Sequence, residues 1–255
     1  MLTIVAIPCA VALSVLEFLC MAKLAGTKVS VSSAAETTII GSMANLLPIP
    51  GGTLVRVAAL KASGTTVKRG ANITLLAAAV WLGICLAYAG PWLAAFDQHA
   101  FAAILFSAGI AVIIGCGIWA QLYFGGFINI VGLTSIRLLL TLSDAVRLYL
   151  CFWCLGLTSG IEQVSVLTLS SFAGAAFSLV PAGLGVREGV AAVLGPVISI
   201  SAPAAYLATS LNRILGLVVV IPMALWIAAR SRAGANQNLT SAVPATSQMI
   251  KDPNG

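Results

Sequence analysis

The chain has 255 residues, of which 60% are hydrophobic and only 8% charged, with a mean hydropathy of +1.07. A water-soluble fold cannot bury that much apolar surface or cover itself with so few charges, so composition alone excludes a soluble domain and points to an integral membrane protein. The net charge of +6 comes without any basic run, which excludes a nucleic-acid-binding surface and leaves the placement of Lys and Arg between apolar segments as the informative quantity.

In chain order, the first apolar stretch runs from Leu2 to Ala22. It lacks a basic start and is too long for a signal-peptide core, so a retained transmembrane helix is expected rather than a cleaved leader. The region from Ser33 to Ala62 is apolar but interrupted by "NLLPIPGGTLVRVAAL", residues 45 to 60, and neither half is long enough to span. Spans are predicted at Ile73 to Leu93 and Phe101 to Gln121, each near the roughly 20 residues that cross about 30 Å of hydrocarbon. Residues 122 to 137, "LYFGGFINIVGLTSIR", read either as an interfacial segment or as part of a further pass.

The next span, Leu138 to Leu157, carries Asp144 and Arg147 three residues apart on one helical face, where they are expected to neutralise each other. A second broken region, Val164 to Leu194, contains "PAGLGVREG", and a last span covers Ala204 to Ala228. Residues 1–229 therefore form the membrane domain. Residues 230–255 are polar and poor in large apolar side chains, as in a disordered tail. All six cysteines lie in apolar runs and read as small hydrophobes. Cys151 and Cys154 have metal or redox spacing, but His99 is the only histidine and lies far from them, so neither metal nor cofactor is expected.

Pro50, Gly52, Val55 and Arg56 match Pro181, Gly183, Val186 and Arg187 in the pattern P-x-G-x-x-V-R, at a shift of 131 residues. Without a gap the same shift pairs Cys20 with Cys151, Thr27 with Thr158 and Pro91 with Pro222, and residues this scarce make the match an internal repeat. The predicted fold is an all-α polytopic membrane protein. Two inverted repeats of helix, broken re-entrant hairpin and helix (about 2–95 and 133–229) are joined by a single transmembrane helix at 101–121. With the N-terminus outside, Lys23, Lys28, Lys61, Lys68, Arg69, Arg230 and Arg232 fall on the cytoplasmic side, as does the C-terminus. The outer loops then carry Asp97 and Glu162 but no Lys or Arg. His99 beside Asp97 reads as a solvated loop pair.

Non-helical backbone at membrane depth is tolerated only inside protein or beside a wet cavity, so two such breaks imply an interior site. Each break is followed by a helix whose first amides are unpaired and whose N-terminus is partially positive, with Arg56 or Arg187 in its first turns. Together these form a seat for an anion such as phosphate. The competing reading is a hairpin corner with a snorkelling arginine. The repeat favours the first, because Arg56/Arg187 is the one intramembrane position charged in both units. Glu17 is expected to pair with Arg213 or Arg187.

"LVPAGLGVREGVAAVLG" followed by "APAAYLATSLNRILGLVVVIPMALWI" resembles the C-terminal signature of the lysylphosphatidylglycerol synthase transmembrane region family. That family comprises the flippase-type membrane domain of the bacterial multiple peptide resistance factor and its stand-alone relatives. "NLLPIPGGTLVRVAAL" is similar to the family's earlier, looser Pro-Gly-Arg motif, and the resemblance extends to about Ala229. It implies a lipid-handling protein of the bacterial cell membrane, with Pro181, Gly183, Gly185, Arg187, Glu188 and Arg213 as motif residues. The chain departs from the family in beginning one helix later and in lacking a soluble aminoacyl-transferase domain, so synthesis of lysyl-lipid is not implied.

Three function classes follow. The first is a translocator that moves an anionic or modified lipid, or a lipid-linked molecule, between leaflets, its headgroup passing a site built around Arg56, Arg187, Glu188, Arg213, Pro50, Gly52, Pro181, Gly183 and Gly185. The others are a transporter of a small solute and a non-transporting subunit of a lipid or glycan synthesis complex. An enzyme is not expected, since H-E-x-x-H, G-x-S-x-G and a carboxylate pair at suitable depth are all missing from the sequence. The partners implied are membrane lipids with anionic headgroups, not nucleic acid, with a membrane partner or a second copy of the chain as companions.

Overall fold

A computed structural model describes residues 2–47, 49–125, 127–176 and 185–241. Among these residues there is no strand; the chain folds as helices α1 (Leu2–Ala25), α2 (Val31–Ala44), α3 (Gly51–Ala62), α4 (Val67–Leu93), α5 (His99–Phe124), α6 (Phe127–Cys154), α7 (Ile161–Leu167), α8 (Leu169–Ala176), α9 (Val186–Val197) and α10 (Ala202–Ser241). Five of them, α1, α4, α5, α6 and α10, are long and apolar enough to cross a membrane, the architecture of an all-α multi-pass membrane protein.

Local sequence sets the ends of these helices. Ser30 and Thr66 cap α2 and α4, their hydroxyls accepting the amides of Ser33 and Arg69 at 3.2 Å. Gly125, at φ 66°, closes α5 by donating its amide to Ala120. Only residues 125 and 126 separate α5 from α6, so the stretch 122–137 adds no pass. Most of it is the start of α6, eleven residues ahead of the predicted boundary at Leu138. The backbone of α10 is helical to Ser241, beyond the point where composition predicts the polar tail, and 242–255 lie outside the described residues.

Packing follows the rules of lipid rather than of water. Apolar burial gives helices no drive to associate in hydrocarbon, so close contact through small residues takes its place. Helix α4 lies along α5, and a Cβ at Gly90 would come within 2.8 Å of the Phe106 amide nitrogen. Large apolar side chains such as Ile118 and Leu225 are left on the outside, as a bilayer requires. Inside, one core gathers Phe18, Leu24, Ile73 and Leu133 from α1, α4 and α6, and another gathers Leu148, Phe152, Leu167 and Ile198 from α6, α7 and the end of α9. The short helices pair, α2 with α3 and α8 with α9, and α6 packs on both α1 and α10.

Candidate functional site

Residues 137, 141 and 144 of α6 recur at helical spacing, so Arg137, Thr141 and Asp144 share one face. That face lines a cavity of about 340 Å³. Asn45 and Ile49 of the first break reach it from one side, and Ser171, Gly174 and Arg187 of the second from the other. Trp81 of α4 and Arg213 of α10 complete the wall. The interior is therefore polar and cationic, and it lies between helices whose outer surfaces are apolar.

One charge cluster is centred on Glu17 of α1, whose side chain is only 1% exposed. Its carboxylate pairs with Arg137 through Oε1, and Oε2 lies 3.6 Å from Arg56 Nη2. The Arg137 guanidinium also sits 4.9 Å over the Trp81 ring, where the indole face supplies a second, weaker attraction for the cation. Arg56 stands behind Arg137 and does not line the cavity. Glu17 thus serves Arg56 and Arg137, not the expected Arg213 or Arg187. The reason is topological, because α1 packs on α6 and α3 and so meets their arginines first.

The other cluster is built on Asp144. Arg187 Nη2 donates to Oδ1 and Oδ2 at 3.3 and 3.2 Å, Asn212 Nδ2 donates to Oδ1 at 3.0 Å, and Ser171 Oγ donates to Oδ2. A carboxylate removed from water keeps its charge only when its lone pairs are satisfied in this way. Arg147, expected to neutralise Asp144 as its neighbour on α6, instead donates through Nη2 to the Asn212 carbonyl at 3.1 Å. Arg187, in the first turn of α9, reaches both carboxylate oxygens through one nitrogen, while Arg147 attracts Asp144 only at longer range.

Glu188 does not act on the adjacent Arg187. Its Oε2 accepts the Gly185 amide at 2.9 Å and its Oε1 accepts from Arg213 Nη1 at 3.0 Å. Gly185 holds φ 82°, a left-handed conformation that a side chain would resist, and this turns the chain into α9. Asn45 plays the matching part in the first half, its Oδ1 accepting the Gly52 amide at 2.8 Å while Pro50 stands at the N-cap of α3. The helix starts expected to seat an anion are thus partly spent on Asn45 and Glu188. The cationic groups on the cavity wall are the arginine side chains.

Of the sequence-predicted residues, Arg187 and Arg213 line the cavity, Glu188 bonds Arg213 and the Gly185 amide, Arg56, Pro50 and Gly52 do not line it, and Pro181 and Gly183 lie outside the described residues. Arg137, Asn45 and Asn212 went unrecognised. Arg137 sat at the end of the ambiguous segment, where its spacing to Thr141 and Asp144 was the available signal. Asp97 and His99 form the expected exposed pair, 4.0 Å apart. Among the described residues no group of His, Cys, Asp and Glu is placed to hold a metal. Comparison with protein-family models, curated proteins and solved structures gives no match.

Proposed function

We propose that the chain is a lipid translocator of the bacterial cell membrane, passing an anionic headgroup through the cavity while the acyl tails stay in the bilayer. The observation that carries this reading is the cavity itself, a space of about 340 Å³ lined by Arg137, Arg187 and Arg213 inside a bundle of membrane-length helices. That volume lies at the low end of ligand pockets, roughly 300–1,000 Å³, enough for a headgroup but not for its tails. Arginine forks suit phosphate oxygens, two of which one guanidinium can hold at once.

The reading includes a duplicated, inverted architecture. The shift of 131 carries α1 onto α6, α2 onto α7 and α8, α3 onto α9 and α4 onto α10, leaving α5 as the connecting pass. With α5 as a single crossing, the breaks enter from opposite faces, and the Lys and Arg bias places the C-terminus in the cytoplasm. This is the arrangement expected from the resemblance to the lysylphosphatidylglycerol synthase transmembrane region family. A small anionic solute would fit the same volume, so the test must report lipid.

The experiment reconstitutes the full chain in liposomes containing fluorescent phospholipid and adds a quencher confined to the outer leaflet. Unmodified protein should make most of the label quenchable, whereas Arg187→Gln should slow movement by about 10- to 100-fold, as losing one charge-assisted contact implies. Lys68→Gln, on the exposed start of α4, should leave the rate unchanged. An Arg187→Gln protein present at normal abundance and moving lipid at the unmodified rate would sink the proposal.

A further inference from the structure

We infer that the group held in this cavity is a phosphoryl dianion, a phosphomonoester or a pyrophosphate diester, rather than the singly charged phosphodiester of most phospholipids. For a lipid substrate this rests on the translocator reading; for the bound anion it rests on the charges alone.

Five arginines (Arg56, Arg137, Arg147, Arg187 and Arg213) meet three carboxylates (Glu17, Asp144 and Glu188) in the interior. The excess is two positive charges. Residues 177–184, outside the described residues, contain no ionisable side chain and do not alter the balance. A buried lysine could shed its proton to escape such an excess, but a guanidinium cannot. Uncompensated charge at membrane depth is costly, so the excess calls for a counter-anion of matching charge.

The surplus is also divided in a telling way. Glu188 and Arg213 balance each other. One extra cation belongs to the Glu17 cluster, where Arg56 and Arg137 share a single carboxylate, and the other to the Asp144 cluster, where Arg147 and Arg187 stand around another. Each cluster sends one arginine to the cavity wall, Arg137 and Arg187 respectively. Both, like Arg147, keep a buried Nε–H with no acceptor, so neither guanidinium is fully satisfied by the protein. Two clusters, each one charge in surplus and each with one arginine on the wall of the same space, fit a ligand with two charges.

The test compares acyl-labelled phosphatidic acid with phosphatidylglycerol of the same chains in proteoliposomes at pH 8 and pH 5, and titrates purified protein in detergent at pH 8 with inorganic phosphate, a dianion there, and with dimethyl phosphate. A phosphomonoester loses its second charge near pH ~6, whereas the arginines do not titrate. Phosphatidic acid should move about tenfold faster than phosphatidylglycerol at pH 8, and the ratio should fall towards one at pH 5. Inorganic phosphate should bind about tenfold more tightly than dimethyl phosphate, and Arg137→Gln should reduce both preferences. Equal movement of the two lipids at pH 8 would overturn the dianion and leave the translocator standing. If neither lipid moves but inorganic phosphate keeps its preference, the lipid reading fails and free phosphate becomes the ligand of a dianion site. Equal binding of the two soluble anions with no lipid movement overturns both.

Discussion

Glu17 is the most demanding residue in the bilayer, a carboxylate with 1% of its side chain exposed and two arginines depending on it. At the 3.6 Å separating it from Arg56, a dielectric constant near 20 gives a Coulomb attraction of about 5 kcal/mol before desolvation is subtracted. Glu17→Gln leaves Arg56 and Arg137 facing each other without a counter-charge and should destabilise the fold by about 3–5 kcal/mol. Arg56→Gln should cost less, because Arg137 still answers the carboxylate. In the double variant only Arg137 remains charged, resting on the Trp81 ring, so the loss should fall short of the sum by about 1–3 kcal/mol. The assay is unfolding in mixed micelles with rising dodecyl sulfate, followed by helical circular dichroism, completed as a double-mutant cycle. Additivity within about 0.5 kcal/mol would refute the shared-carboxylate account.

Three other expectations follow from the same geometry. In a cysteine-free background, single cysteines at Gln98 and Ser159 should react with a membrane-impermeant reagent from outside intact cells and one at Thr65 should not; outside labelling at Thr65 would overturn the inverted arrangement. Gly174→Ala would put a Cβ 2.7 Å from that of Arg187, so α8 and α9 must separate, which should cost about 1–3 kcal/mol and slow lipid movement; an unchanged rate and stability would argue against that contact. Glu188→Ala should be less stable than Glu188→Gln by about 1 kcal/mol, because glutamine can still accept the Gly185 amide; equal stability would remove Glu188 as a cap.

Hydropathy made the spans legible because a membrane rewards uninterrupted apolar length, and all five predicted segments lie largely within α1, α4, α5, α6 and α10. It blurred the start of α6. Glycines 125 and 126 and the polar Arg137 lowered the apolar signal over 122–137, although Arg137 costs the helix little once Glu17 and Trp81 receive it. Such compensation lies across the bundle, where a window sliding along one chain cannot register it. The same holds for Asn45 and Glu188, whose capping roles depend on how the breaks fold back.

The partners of the repeat arginines illustrate how such a pairing can be present in a sequence and still be missed. Compared position by position at a shift of 131, Glu17 meets Leu148 and Asp144 meets Leu13, so neither acid looks like part of the duplication. In the folded chain Arg56 nevertheless faces an acid on α1 and Arg187 faces one on α6, the first long helices of the corresponding sequence units. Positions 13 and 17 are four residues apart, little more than one helical turn, and therefore lie on the same face of α1. The acid has moved by a turn without leaving the side that meets the arginine. That slip also separates the clusters in character. The more buried acid, in α1, is paired with Arg137, whereas Asp144 lines the cavity together with its arginine, so under the proposed duplication one unit would brace the cavity wall and the other would form it.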